Sequence, residues 1–562
     1  MTAEAKCGQV APPRVRREHL PADIFGLSAL SRTALAGGMD FGPIPLVRRP
    51  ADLERPVERH DPAEREALAM ALERGLESVG IPDRVKTSLN VLATGDVFCV
   101  VTGQQPGFLS APLYSLYKAM QACKLAHELS LSWGLPVVPV FWNHADDHDI
   151  AEVHHAWLLN RNLDLSKSAL AGLSSGRQPL SRIVLDEEHQ RLGPLRASLT
   201  DMFEELPCIE AALDLFLPRP GETLPRALTR SLTELLGAHG LVVVEPDWIR
   251  NVMASHLAHI VGIGPRAELE AGSKTLVEAG FEAGIDPATA ALVYRVDESG
   301  RSALRSGGEG FRFDDEPGSR TAAELAAEII DDPASFSPGA LLRPLVQDGV
   351  FPTCAYIGGW GELAYHAQLG ALRDACDLPR TPFVPRVSAT LVDGDTRASL
   401  DRLELDLREV LGNPAVLETQ GEGATDSPPV VAKLRETAER AARDLAEHKA
   451  ELSELDPSLG VNLKKTAQQI RGLVEKIVGK AERVHANSKG KGKRHVRRLS
   501  GVLVPRGLPQ ERVLGPMPFM ARYGMGWVDA LYEEWPALSS EHLAIHLEET
   551  EDERERDAGA RE

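Results

Sequence analysis

An α/β fold built on a Rossmann-like parallel sheet is predicted by three features of the 562-residue sequence. Short apolar runs alternate with helical stretches, and four of those runs end in small or polar residues. An apolar spacing of three and four then continues from Val431 to Val484. The first two features are those of parallel βαβ units, whose ligands bind beyond the carboxyl ends of the strands. The third is that of an antiparallel α-helical coiled coil. The expected architecture is a Rossmann-like core with inserted connecting segments and a C-terminal helical hairpin.

Residues 1–95 read as an irregular lead-in, broken by Pro12, Pro13, Pro21, Pro43, Pro45, Pro50 and Pro56, that becomes helical over 62–79. The core is expected over 96–425. Its first strand, Val97–Val101, stops at the turn Thr102–Gly107. Ser110 suits an N-cap and Pro112 a first turn, and Leu113, Leu116, Met120, Cys123 and Leu129 mark the apolar side of a helix to about Ser132. Further strands are expected at Val137–Trp142, Leu241–Val244, Cys354–Ile357 and Phe383–Pro385.

Two insertions interrupt this core. The one at about 160–235 combines a strand, Arg182–Leu185, with helices; the one at about 285–335 is a small β unit around Leu292–Val296 and Phe311–Phe313, followed by a helix. The hairpin is expected over 426–505, with apolar positions from Val431 to Leu455, a turn at Asp456–Gly460, and apolar positions again from Leu463 to Val484. Helices of about 25 residues are on the order of 37 Å long. Residues 506–546 are expected to pack back on the core. Residues 547–562, dominated by acids, form an expected disordered tail.

The balance of 62 basic against 82 acidic residues, a net charge of −20, argues against a general nucleic-acid binder. No run of about 18 apolar residues suggests a membrane span, and the N-terminus lacks the apolar segment of a secretory signal. Cys7, Cys99, Cys123, Cys208, Cys354 and Cys376 show no CxxC pairing and read as scattered reduced thiols, which points to the cytoplasm.

Four strand ends carry the candidate chemistry. Thr102, Gly103, Gln104 and Gln105 lie where a strand turns into a helix, a place suited to a phosphate or carboxylate. The turn lacks the Gly-Lys-Ser/Thr of a P-loop and the GxGxxG spacing, so an ordinary βα turn accounts for it equally well. His144-Ala145-Asp146-Asp147-His148-Asp149 follows the next strand; Asp147, His148 and Asp149 are the candidate catalytic groups. His144 and His148 have a zinc-capable i, i+4 spacing, but there is no HExxH arrangement, and no metal is predicted. Gly358 and Gly359 permit close backbone approach, and Glu362 suits a substrate ammonium. Arg386 and Ser388 suit an anion. A basic stretch from Lys489 to Arg506 either is a solvated face or binds a nucleotide's phosphates through Lys493, Arg497, Arg506, Gln510 and Arg512.

Five blocks carry a resemblance. VTGQQPGFLSAPLYSLYKA (101–119), VPVFWNHADDHDIAEVHH (138–155), LLRPLVQDGVFPTCAYIGGWGELAYHAQL (341–369), VPRVSATLVD (384–393) and GLPQERVLGPMPFMARYG (507–524) resemble the BshC family, the cysteine-adding enzymes of bacillithiol biosynthesis. His144 stands where that family more often has a small or apolar residue. The resemblance implies a Rossmann-type core, connecting insertions and a C-terminal coiled coil. It also implies a ligase that joins L-cysteine to the amino group of glucosaminyl malate, giving bacillithiol. ATP is the candidate cosubstrate. A ligase needs a carboxylate clamp (the Thr102–Gly107 turn), an ammonium clamp (Glu362 or Asp149) and a base (His148). The other reading is a non-catalytic coiled-coil interaction protein on a nucleotidyltransferase-like core. Under either reading, incompletely covered apolar faces on the hairpin point to a homodimer.

Overall fold

The computed structural model describes residues 7–8, 10–37, 47, 49–56, 60–160, 163–173, 176–307, 310–314, 318–422, 429–486 and 492–548. The chain divides into two compact units, residues 1–394 with 508–562, and residues 395–507.

The first unit is organised by a parallel sheet of β1 (Phe98–Gln104), β2 (Val137–Asn143), β3 (Val242–Val244), β4 (Thr353–Gly358) and β5 (Phe383–Pro385), in the order β5-β4-β1-β2-β3. All neighbours run parallel. These strands form because both faces of the sheet are covered, which rewards unbroken apolar runs. On β1, Phe98 and Val100 pack with Ala122, Leu125 and Leu129 of helix α1 (Tyr114–Trp133), whereas Cys99 and Val101 enter a separate cluster with Trp142 and Phe351. Strand order reverses between β1 and β4, which opens a crevice beyond their carboxyl ends. Thr102–Gln105 and Gly358–Glu362 flank it.

Other parts depart from expectation. Arg14–Leu20, expected to be irregular, is a strand. It pairs antiparallel with His542–Glu548, which pairs parallel with Ser388–Asp393. Arg14–Leu20 is a largely exposed edge strand whose partner lies at the other end of the chain, so local periodicity carries no sign of it. Ser110 is not an N-cap; its φ of 55° puts it in the left-handed region, inside a short 3-10 turn, and the helix starts at Tyr114. Arg182–Leu185 is not a strand. Leu180–Arg182 is a 3-10 turn, and Leu185 exchanges backbone hydrogen bonds with Gly221 and Glu222 in a loop. In that insertion the pairing is His155–Leu159 with Leu165–Ala169. The second insertion has strands at Val293–Asp297, Gly300–Gly307, Gly310–Phe313 and Phe336–Pro338, with a helix at Ala322–Asp331.

The cysteine expectation also needs correction. Cys7 and Cys208, 201 residues apart, form a disulfide, because the fold sets Cys7 beside the start of the Ile209–Phe216 helix. Cys99, Cys123, Cys354 and Cys376 are free and buried. Among the described residues no helix is long and apolar enough to cross a membrane.

The second unit begins after Gly394 rather than near residue 425. Helices Gly394–Leu403 and Ala415–Glu422 associate with the helix Gly492–Val502; His495 Nδ1 lies 3.0 Å from Ser399 Oγ, and Arg498 pairs with Asp395. The hairpin consists of Pro429–Glu447 and Lys449–Leu455 packed on Pro457–Ala486. Val431, Ala438, Ala442, Ala467 and Val478 fill the seam, and Arg435–Glu475 and Arg471–Glu439 ion pairs bridge it. Ile477, expected in the seam, is 58% exposed; Val478 takes that place. The acidic tail beyond Glu548, and Lys489 and Lys491, lie outside the described residues.

Candidate active site

A pocket of about 270 Å³ occupies the crevice between β1 and β4. Gln104 enters it from the end of β1 and Gln105 from the turn after it, Tyr114 and Lys118 from α1, and His144 from just beyond β2. Gly359, Gly361, Glu362 and Tyr365 come from β4 and the following helix α2 (Trp360–Ala367), and Arg386 and Arg512 from further along the chain.

The inner wall is built on an ion pair. Lys118, only 2% exposed, has three ammonium protons and three acceptors: Gly103 O at 2.9 Å, Gln104 Oε1 at 3.2 Å and Glu362 Oε2 at 2.6 Å. Glu362 is equally committed. Its Oε2 also accepts from the Gly359 N–H at 2.7 Å, and its Oε1 from the hydroxyls of Tyr356 at 2.8 Å and Tyr365 at 3.3 Å. Burial by itself raises a carboxyl pKa, but the Lys118 charge and these hydrogen bonds outweigh it and hold Glu362 well below the usual carboxylate range. With every lone-pair direction used, Glu362 cannot also clamp a substrate ammonium, as the sequence suggested. It ties α2 to α1 instead.

Several other expected ligands have structural duties. Thr102 is buried and donates to Ile357 O at 2.8 Å, joining β1 to β4. A Cβ on Gly103 would lie 2.5 Å from Trp142 O, and one on Gly358 2.6 Å from the Phe383 ring, so packing accounts for both glycines. Arg386 is bound by both Nη atoms to Glu511, at 2.8 and 2.7 Å, and Ser388 Oγ lies between Glu511 Oε1 at 2.9 Å and His542 Nδ1 at 2.8 Å. Arg386 still forms pocket wall; Ser388 does not. Gln510, expected at a nucleotide, is fully buried with its amide spent on both backbone groups of Leu391. Arg512 reaches the pocket, while Lys493, Arg497 and Arg506 belong to the second unit.

The acidic cluster divides as well. Asp147 Oδ2 accepts from Gln105 Nε2, and Oδ1 accepts from the N–H groups of His148 and Asp149. Burial would raise its pKa, but these donors and Arg301 prevail, so it stays ionised. Asp149 is exposed. His148, the expected base, does not line the pocket; its Nδ1 meets Arg301 Nη1 at 3.2 Å, on the inserted β unit. The histidine in the pocket is His144. Burial, reinforced by Arg343 and Lys118, lowers its pKa to about 3, so the imidazole is neutral. Among the described residues no group of His, Cys, Asp and Glu is placed to hold a metal ion.

Sequence reasoning located the crevice but missed Tyr114, Lys118, Tyr365 and Glu511. Lys118 left one signal: a lysine four residues after Tyr114, flanked by buried Tyr117 and Ala119, sits on a face that solvent cannot reach.

The sheet order and its polar pocket define an open α/β protein with a small polar pocket at its switch point, where ligands of such sheets bind. The family models described as "Bacillithiol biosynthesis BshC, N-terminal Rossmann-like domain" and "Bacillithiol biosynthesis BshC, C-terminal coiled-coil domain" match residues 49–387 and 389–547. The chain belongs to the BshC family. It is 28% identical over 497 residues to a relative from Koribacter versatilis, which covers 87% of this chain and 91% of that one. A relative from Solibacter usitatus is 29% identical over 497 residues, covering 86% and 90%, and one from Salinibacter ruber is 28% identical over 489, covering 86% and 89%. All three carry the name "Putative cysteine ligase BshC".

Proposed function

We propose that this chain joins L-cysteine to the amino group of glucosaminyl malate, forming the amide of bacillithiol. The observation that carries the reading is the pocket beyond β1 and β4, where a saturated Lys118–Glu362 pair fixes a wall of hydrogen-bonding groups. Its size, about 270 Å³, suits an amino acid or part of a larger substrate. The names of the relatives support cysteine as one of them.

Burial shifts the pKa of several lining groups, and it lowers that of Lys118. His144 is pushed down to about 3, burial raises that of Tyr114, and the Lys118 protons are all engaged. Orientation and electrostatic stabilisation by this wall are the contributions the pocket supports. Joining a free carboxylate to an amine in water is uphill, so ATP is proposed as cosubstrate. In the second unit the Lys493 ammonium is enclosed without a hydrogen-bond partner among the described residues, which suits a phosphate there. The test is to incubate the purified chain with cysteine, glucosaminyl malate and ATP and to look for bacillithiol by mass spectrometry. Product that depends on all three supports the reading; no product under any nucleotide condition rejects it.

A further inference from the structure

Lys118 can only donate, so the Gln104 side-chain amide must turn its oxygen toward Nζ. Its NH₂ group then faces Tyr114, and Gln104 Nε2 donates to the Tyr114 hydroxyl at 3.1 Å. Tyr114 is the acceptor in that bond, which leaves its own proton to donate elsewhere. Among the described residues nothing accepts it.

The charges on the same wall are unequal. Lys118 is cancelled by Glu362, and Arg386 by Glu511 behind it. Arg386 also lies over the Tyr114 ring, 5.2 Å from its centroid, and holds the ring in place. Arg512 is exposed and has no side-chain hydrogen bond or ion pair among the described residues. The wall thus offers one hydroxyl proton and one uncompensated guanidinium, and a carboxylate is the group that accepts from both.

We propose that the Tyr114 hydroxyl and the Arg512 guanidinium form a carboxylate subsite of the pocket and set its specificity for an acidic substrate. The proposal rests on the ligase reading for its choice of ligand. Cysteine supplies one carboxylate and the malyl half of the acceptor two, so the test has two arms.

Calorimetry on the full chain measures L-malate and L-cysteine binding separately, without nucleotide, for the wild type, Tyr114→Phe and Arg512→Gln. Loss of a hydrogen bond to a charged group raises Kd about tenfold or more. That rise is expected in both variants for one of the two acids, which identifies the source of the carboxylate. Dimethyl malate or cysteine methyl ester is expected to bind the wild type and variants alike. Failure of both acids to bind the wild type, unchanged Kd in both variants, or equal loss for acid and ester would each overturn the proposal. A chain that binds its acid through Tyr114 and Arg512 yet makes no amide would refute the ligase reading alone. A chain that makes bacillithiol with unchanged KM for both substrates in both variants would refute the subsite alone.

Discussion

Lys118 Nζ and Glu362 Oε2 meet at 2.6 Å, although 244 residues separate them along the chain. The pair closes the crevice at the point where the sheet changes winding direction, and it decides which way Gln104 faces. Removing one partner leaves a buried charge uncompensated, at a cost of about 3–5 kcal/mol. Lys118→Met should therefore lower the unfolding free energy by that order in urea titrations. Lys118→Met with Glu362→Leu should recover part of the loss. If the double variant is less stable than the single one, the electrostatic account is wrong.

His148→Ala is expected to retain turnover within about tenfold. A general base typically contributes about 10²–10⁴-fold, and His148 is directed at Arg301 rather than at the pocket. Steady-state rates measured with saturating substrates decide this. A fall of about a hundredfold in kcat, with KM unchanged, would return the base to His148.

Glu245 gives a pH dependence with a definite sign. Burial raises its pKa from 4.5 to about 7, against the opposing effects of Arg226 and the Thr229 hydroxyl. Between these values the folded chain holds a proton that the unfolded chain has released. The resulting stability is fully present below pH 4.5 and is lost as pH rises through about 7, a change of about 3 kcal/mol. Urea midpoints for Glu245→Gln should show a flatter profile than the wild type across this window.

The Cys7–Cys208 disulfide restrains the segment leading into the edge strand Arg14–Leu20. Such a cross-link typically contributes about 2–4 kcal/mol, so a phosphine reductant should lower the thermal midpoint. Cys7→Ser should melt at the lower temperature with or without reductant. A wild-type midpoint that ignores the reductant would contradict a structural role for the bond.

Leu473 and Ile477, one helical turn apart on the hairpin, are 59% and 58% exposed. We propose that they pair with a second copy of the chain. Light scattering at micromolar concentration is expected to give twice the chain mass of 60.9 kDa, and Leu473→Glu with Ile477→Glu to give the monomer. A wild-type monomer would dispose of the idea.

By itself the sequence determined what local periodicity and strand composition encode. The five apolar runs at the β1 to β5 positions, the polar ends of β1 and β4 and the heptad hairpin are each visible within a dozen or two neighbouring residues, because burial on both faces or along one stripe leaves a pattern there. Pairings across the chain leave none. Arg14–Leu20 finds His542–Glu548, Cys7 finds Cys208, and Arg386 finds Glu511 only once the backbone is closed. Side-chain roles followed the same rule. Glu362 and Arg386 were legible as charges at strand ends, but only the tertiary structure paired them with Lys118 and Glu511 and left Arg512 without a partner among the described residues. A residue's chemistry is written in its own atoms, whereas its freedom to act is set by the partners that folding brings within about 3 Å of it.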